Sequence, residues 1–239
     1  MHRRCLHLTA WSSGANLSDA AVNLPSPAPG GAGATLDGGD KWVEVVRRQH
    51  CPDVVVFANM LTAAECDALI LAAKPRLSRS LTVDTNTGDE ALHSDRTSQG
   101  MFFERFESDL VLRIEARIAK LLRWPVKHGE GLQVLRYQKG AQYAPHYDYF
   151  DVRDAATPAL LARGGQRVAT LIMYLKEPDS GGATVFPDLG LDIQPKRGQA
   201  VFFSYPQARP SSLSLHGGAP VVAGEKWIAT KWLRQREFA

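Results

Sequence analysis

Residues 131–150 read GLQVLRYQKGAQYAPHYDYF, and this stretch decides the fold. It contains two short β-like runs, Leu132–Gln138 and Tyr143–Phe150, separated by the turn signal Lys139-Gly140. Further runs follow toward the C-terminus and are bounded by turn signals such as Gly181-Gly182. These runs are Arg167–Leu175, Ala183–Phe186, Gln199–Tyr205 and Lys226–Leu233. Closely spaced short strands of this kind predict a β-sandwich or a jelly roll.

The residues before this stretch predict helices. A first helix is expected to start at Thr62, where Thr62 and Glu65 match a T-x-x-E capping box, and to stop at Pro75. A second is expected from about Ser108 to Arg123, where apolar residues recur at helical spacing before Trp124-Pro125 ends the pattern. Helices followed by closely spaced strands predict an α+β domain.

The N-terminal part has a different composition. No Lys or Arg occurs from Ser12 to Asp40, and proline and glycine punctuate this stretch. We therefore expect residues 1–40 to be a flexible tail and residues 41–239 to form the domain. Over the whole chain of 239 residues, 44% are hydrophobic and 22% are charged, which is ordinary for a globular protein and excludes wholesale disorder, collagen-like repeats and coiled coils.

Charge and cysteine content exclude further classes. The 28 Lys and Arg residues against 25 Asp and Glu residues leave a charge of +3, too small to indicate a nucleic-acid or membrane partner. No apolar run approaches the roughly 18 residues of a membrane span. The three cysteines include no Cys-x-x-Cys pair, so neither a disulfide framework nor a thiolate zinc site is predicted. Because no signal-peptide pattern is found, we expect a cytoplasmic protein in a reducing compartment.

The residues with the clearest chemistry are His146 and Asp148. On a strand, residues two apart point to the same face, so the imidazole and the carboxylate would converge while Tyr147 faces away. A distant His216 would complete a set of two histidines and one carboxylate, which binds non-haem Fe(II) and leaves coordination positions open. Taken alone, a His-x-Asp sequence also fits a hydrogen-bonded pair at the surface.

Lys226 adds a second feature. It follows the Ala223-Gly224 turn, so an antiparallel return would bring it alongside His216. A lysine on an inward face is costly unless it meets an anion, and the far carboxylate of 2-oxoglutarate is such an anion. The alternative is an exposed lysine on an edge strand. Alternation along the strand predicts one face formed by Lys226, Ile228, Thr230 and Trp232.

Several motifs taken together resemble the catalytic core of prolyl 4-hydroxylases. In chain order they are Glu130–Tyr137, Tyr143–Phe150, Gly181–Pro187, Ser214–Gly218 and Gly224–Trp232. The resemblance extends from about Val54 to Leu233 and is greatest to bacterial single-domain relatives. Two positions depart from the family pattern: Ala183 stands where a glutamate is common, and Ala219 where a cysteine often follows His-Gly-Gly.

This resemblance implies a double-stranded β-helix, which is a jelly-roll core, flanked by the N-terminal helices. It also implies Fe(II), 2-oxoglutarate and O2, with ascorbate as reductant. The metal ligands would be His146, Asp148 and His216, and Lys226 would bind the 2-oxoglutarate carboxylate. Positions that help to hold the cosubstrate are Tyr137 and Thr170. Positions that line the peptide side are Tyr143, Arg167 and Trp232. Alternatives are core packing for Tyr137 and Trp232, and a solvated charge at a strand end for Arg167.

The implied reaction is hydroxylation of prolyl residues in a peptide or protein, giving 4-hydroxyproline, succinate and CO2. The loops Leu81–Asp95 and Asp151–Gln166 are expected to close over a proline-containing partner, and a homodimer is left open. The alternatives are the same chemistry on free proline, another amino acid or a small metabolite, and a non-catalytic binding protein. The ligand set argues against a cupin-type isomerase, and the small basic surplus argues against nucleic-acid demethylation.

Overall fold

A computed structural model describes residues 24–80, 82–83, 90–91 and 97–239. The strands, numbered in chain order, are β1 (Thr35–Asp37), β2 (Trp42–Gln49), β3 (Val54–Ala58), β4 (Ser78–Arg79), β5 (Thr82–Val83), β6 (Glu90–Ala91), β7 (Gln99–Phe103), β8 (Leu132–Tyr137), β9 (Tyr143–His146), β10 (Arg167–Lys176), β11 (Ser180–Gly181), β12 (Thr184–Phe186), β13 (Leu191–Ile193), β14 (Ala200–Ser204), β15 (His216–Gly218), β16 (Val221–Ala223) and β17 (Lys226–Arg234). The helices are α1 (Ala63–Ala73), α2 (Asp109–Leu122) and α3 (Thr157–Ala162).

The strands form two main sheets. A nine-stranded sheet has the order β1-β2-β3-β14-β10-β17-β8-β7-β4, and a four-stranded sheet has the order β13-β12-β15-β9. Buried side chains of both sheets, such as Ile172 and Phe186, belong to one core cluster, so the sheets pack face to face. A second cluster joins α1 and α2 to the other face of the large sheet. A helical layer on an antiparallel sandwich confirms the predicted α+β class.

Alternation along the central strands separates the two cores. On β10, Leu171 and Met173 face the helices, whereas Ile172 and Tyr174 face the smaller sheet. The same alternation on β17 sends Trp227 to the helical side and Ile228 to the space between the sheets. Residue parity on these strands therefore decides which side chains can reach a site between the sheets.

Both predicted helices are confirmed with their ends. At the start of α1, the Glu65 amide donates to Thr62 Oγ1 at 3.1 Å and the Thr62 amide donates to Glu65 Oε2 at 2.8 Å, which is the expected capping box. The helix ends at Ala73, before Pro75. Ser108 caps α2, and the left-handed Arg123 ends it.

The expectation of helices followed by strands is wrong in part, because β1, β2, β3 and β7 precede β8 and join the large sheet. The tail predicted for residues 1–40 is also too long, since Leu36 of β1 pairs with Val43. Asp40 is fixed as well, because Arg117 Nε donates to Asp40 Oδ1 at 2.8 Å. Arg117 is buried, and a buried guanidinium requires carboxylates. Residues 1–23 lie outside the described part of the chain.

The two predicted loops contain regular structure. Within 151–166 the chain forms α3. Within 81–95, the described residues pair Thr82 with Ala91 and Val83 with Glu90, and the rest of that segment lies outside the description. Closure of either segment over a substrate stays a prediction.

The cysteines depart from the expected absence of disulfides. Cys51 is disulfide-bonded, whereas Cys66 is free and buried. The predicted cytoplasmic location stays a prediction. Among the described residues, no helix is long and apolar enough to cross a lipid bilayer.

Candidate active site

Three side chains converge at one end of the smaller sheet. His146 ends β9, His216 begins β15, and these residues are paired in the antiparallel ladder. Their ring centres lie 4.4 Å apart. Asp148 completes the group, with His146 Nε2 at 3.5 Å from Oδ1 and His216 Nε2 at 3.4 Å from Oδ2. All of the candidate ligand atoms lie within 4.8 Å of one another.

The route by which Asp148 joins this group differs from the prediction. The expected strand Tyr143–Phe150 ends at His146, and Asp148 lies in the bend that follows. The two side chains therefore meet because the chain turns toward β15, and strand alternation is not the cause. The His-x-Asp spacing nevertheless predicted two side chains that the structure brings together.

The histidine tautomers suit a metal. His146 Nδ1 lies 2.8 Å from the Ala144 carbonyl oxygen, and His216 Nδ1 lies 3.0 Å from that of Ser214. A carbonyl oxygen only accepts hydrogen bonds, so each Nδ1 carries the proton and donates it. Each Nε2 then presents its lone pair beside Asp148, as metal-binding histidines do.

The protonation states agree with this arrangement. Burial lowers the pKa of His216 to about 4, against the attraction of Asp148, so the ring is neutral at pH 7. Burial alone would raise the pKa of Asp148, but His216 and His146 hold it well below its usual value. A neutral His216 ring beside a carboxylate fits Fe(II) without proton loss from that ring.

Lys226 lies in the large sheet, opposite the three ligands. It is 3% exposed, its Nζ donates to the Gly182 carbonyl oxygen at 2.6 Å, and it forms no salt bridge with any described residue. Burial lowers the pKa of Lys226 to about 8. A buried ammonium without a carboxylate is costly, so this site is complementary to an anionic ligand. The alternative interpretation of Lys226 as an exposed lysine on an edge strand is therefore wrong.

A narrow cavity joins Lys226 to the ligands. The predicted face of β17 is confirmed, because Lys226, Ile228, Thr230 and Trp232 all line this cavity together with His146, Asp148 and His216. The predicted hairpin return of Lys226 beside His216 is wrong, since β17 pairs with β8 and β10. The two residues belong to different sheets and approach from opposite sides.

The predicted cosubstrate contacts occupy different places. Tyr137 lines the narrow cavity, and its ring centre lies 5.4 Å from Lys226 Nζ. Thr170 does not line the narrow cavity. Its hydroxyl donates to Asp148 Oδ2 at 2.7 Å. Thr184, which was not predicted as a site residue, also lines the cavity, and its hydroxyl accepts a hydrogen bond from Tyr174. The signal available for Thr184 was its place just after Gly181-Gly182.

A wider cavity of about 700 Å³ opens on the other side of the ligands. The predicted substrate residues Tyr143, Arg167 and Trp232 all line it, and His146 and Asp148 reach its wall. The Tyr143 ring stacks on His146 with ring centres 3.7 Å apart. A path from solvent to the candidate metal therefore exists beside aromatic and cationic side chains.

Arg167 is held in a buried network. Its Nε and Nη2 donate to the two carboxylate oxygens of Glu130 at 2.7 and 2.8 Å, and Arg234 donates to the same carboxylate at 2.8 Å. The Arg167 side chain is 17% exposed, so a solvated charge at a strand end is wrong. The role of Glu130 was missed, because nothing in its sequence context marks a buried carboxylate.

Comparisons with known proteins agree with the site. Residues 132–234 match the 2OG-Fe(II) oxygenase superfamily. Prolyl 4-hydroxylase 5 of Arabidopsis thaliana is 42% identical over 221 residues, covering 84% of this chain and 74% of the relative. Probable prolyl 4-hydroxylase 3 of the same plant is 40% identical over 221 residues, covering 84% and 75%. Among solved structures, the viral collagen prolyl hydroxylase of Paramecium Bursaria Chlorella virus-1, as a 2OG complex, has 33% identity and a TM-score of 0.58, covering 76% of this chain and 95% of that chain.

The antiparallel sandwich, the paired histidines with Asp148 and the superfamily match define a 2-oxoglutarate- and Fe(II)-dependent dioxygenase with a jelly-roll core. The predicted fold class and enzyme class are thereby confirmed. With relatives at 40% and 42% identity over most of both chains, this chain belongs to the prolyl 4-hydroxylase family.

Proposed function

We propose that this chain hydroxylates prolyl residues of a peptide or protein at C4, using Fe(II), 2-oxoglutarate and O2 and releasing succinate and CO2. One observation carries the proposal: the buried ammonium of Lys226 has no salt bridge among the described residues and lines the same cavity as His146, Asp148 and His216. That arrangement suits a dicarboxylate that spans from a cation to a metal. When bound, iron and 2-oxoglutarate supply the oxidising chemistry.

The residues of this chain supply position and exclusion of water. His146, Asp148 and His216 would hold the metal on one face and leave its other positions open. Lys226 would bind the remote carboxylate of the cosubstrate. Tyr137 and Thr184 would lie beside the cosubstrate between its two ends. Apolar and aromatic side chains contribute much of the lining of the narrow cavity. They would keep bulk water away from the ion pair between Lys226 and the cosubstrate carboxylate.

The wider cavity supports a peptide substrate over free proline. Its volume of about 700 Å³ is in the range that holds a drug-sized ligand and exceeds what a single proline fills. Its lining includes Tyr143, Phe102 and Trp232, whose rings suit the flat faces of pyrrolidine rings in an extended polyproline II segment. The Arabidopsis relatives are named as prolyl 4-hydroxylases, which agrees with a proline-containing substrate.

The test incubates Fe(II)-loaded protein with 2-oxoglutarate in air. A proline-rich peptide, free proline and no substrate are compared, while succinate and product mass are followed together. We expect one added oxygen per hydroxylated prolyl ring and a matching amount of succinate with the peptide. Oxidation of free proline alone would favour the small-metabolite alternative, and the absence of succinate from iron-loaded protein would overturn the enzyme proposal.

We also propose that ascorbate is the reductant that keeps the iron active. Its effect is expected on the number of turnovers during long incubations, with little effect on the initial rate. Equal product yields with and without ascorbate would contradict this role.

A further inference from the structure

We propose that Tyr205 and Thr170 form a positioning pair that keeps Asp148 a one-oxygen metal ligand. The inference rests on the metal site of the proposed function, but it does not depend on the identity of the substrate. Neither residue touches the candidate metal position, so both would act through Asp148.

The hydrogen bonds run in one direction. Thr170 Oγ1 lies 2.7 Å from Asp148 Oδ2 and 2.9 Å from the Tyr205 hydroxyl oxygen. An ionised carboxylate only accepts, so the single hydroxyl proton of Thr170 goes to Asp148. The Tyr205 hydroxyl must then donate to Thr170. The result is a directed chain from Tyr205 through Thr170 to Asp148.

The pair is rigid and shielded. Thr170 is 0% exposed and Tyr205 is 1% exposed, so bulk solvent does not compete for either hydroxyl. Thr170 lies on β10 between β14 and β17, where it is paired with Phe203 and Trp232. The Tyr205 amide donates to the Val168 carbonyl oxygen at 3.0 Å, which fixes the tyrosine to the same strand.

The hydrogen bonds from Tyr205 through Thr170 give the two carboxylate oxygens of Asp148 different surroundings. Each oxygen lies near one histidine, with Oδ1 3.5 Å from His146 Nε2 and Oδ2 3.4 Å from His216 Nε2, but Oδ2 also receives the Thr170 hydrogen bond. An oxygen that already accepts a hydrogen bond is the weaker metal ligand, so Oδ1 is the expected donor to the metal. A carboxylate bound through both oxygens would occupy an extra coordination position. Tyr205 and Thr170 would therefore keep that coordination position of the metal available for a substrate molecule.

The fold contains a matched control. Tyr174 lies on the same face of β10 and donates to the Thr184 hydroxyl at 2.8 Å, so a second buried tyrosine-threonine pair exists. That pair has no hydrogen bond to Asp148. Removing the Tyr174 hydroxyl disturbs the same kind of interaction in the same strand without affecting the carboxylate ligand.

The experiment measures Co(II) binding to metal-free protein by calorimetry, together with the visible absorption of the Co(II) protein, which reports coordination number. We expect Thr170→Val to weaken binding by about 10- to 100-fold and to change the spectrum. Tyr205→Phe should weaken binding by a smaller factor, Thr170→Ser should restore it, and Tyr174→Phe should match the unmodified protein. Because Tyr205 acts through Thr170, the double variant should be no weaker than Thr170→Val alone.

Unchanged affinity and spectrum in both Thr170→Val and Tyr205→Phe would overturn the proposal. Equal losses in Tyr205→Phe and Tyr174→Phe would also overturn it, because they would show a general effect of removing buried hydroxyls. Thermal unfolding of each metal-free variant identifies any that fail to fold, and if Thr170→Val is among them, the comparison of Tyr205→Phe with Tyr174→Phe carries the test. These measurements need no peptide, so a protein that showed the effects but failed to hydroxylate peptides would refute the proposed function alone.

Discussion

The ring centre of Phe102 lies 6.4 Å from that of Trp232, and both rings line the wide cavity beside the candidate metal. Phe102 is 41% exposed, whereas Trp232 is 8% exposed and lies against the Arg167 guanidinium at 4.1 Å. One part of the cavity wall is thus the buried Trp232 ring, which lies against a guanidinium, and another part is the solvent-exposed Phe102 ring. An extended peptide with several prolines would contact both.

Phe102→Ala should weaken peptide binding selectively. Loss of an aromatic surface in a binding cavity costs on the order of 1 kcal/mol, so the KM for a proline-rich peptide should rise about fivefold. Because Phe102 lines only the wide cavity, the KM for 2-oxoglutarate should stay constant. Phe106→Ala, which removes another exposed ring, is the control. Equal peptide KM values in both variants would contradict the role of Phe102.

The affinity for 2-oxoglutarate should fall as the pH rises above about 8. Burial lowers the pKa of Lys226 to about 8, so the free protein loses the ammonium proton above that pH. The anion binds the protonated form, and each further pH unit should weaken binding by up to about tenfold. Calorimetric titration of the metal-loaded protein across this range measures the slope. Lys226→Arg keeps its charge and should flatten the profile; a flat profile in the unmodified protein would argue against this anchor.

Metal binding should stabilise the fold through the three ligands. A ligand at about 100 times its Kd stabilises a protein by about 2.7 kcal/mol, which raises the Tm of a chain of this size by roughly 5–10 °C. Adding Co(II) to the metal-free protein should produce this shift, and chelation should reverse it. In His216→Ala the shift should largely disappear, and a full shift in that variant would place the metal elsewhere.

Glu130→Gln should be strongly destabilising. Glu130 is buried and neutralises both Arg167 and Arg234, and breaking a buried ion pair typically costs about 3–5 kcal/mol. Urea unfolding measures the loss. Glu225→Gln removes a carboxylate that pairs with Arg136 and Lys176 but is 27% exposed, and it should cost less than about 1 kcal/mol. Similar losses in both variants would show that burial of the Glu130 network contributes little.

Local sequence signals predicted the parts of this fold that local physics determines. The Thr62 capping box and the alternation along Lys226–Trp232 were correct, because each depends on residues close in the chain. The pairing of β1 with β2 was missed, since the Pro- and Gly-rich stretch before it hides a three-residue strand. The candidate ligands were predicted from residue type and spacing, whereas the hydrogen bonds that link Tyr205, Thr170 and Asp148 depend on strand neighbours that no single segment encodes.

The two ends of the narrow cavity belong to different layers of the sandwich. His146 and His216 extend from the four-stranded sheet, and Lys226 extends from the nine-stranded sheet. Packed sheets lie about 10 Å apart, so the thickness of the hydrophobic core fixes the span between metal and ammonium. The core side chains between the layers, such as Phe186 and Phe203, therefore set the distance that a dicarboxylate would have to span.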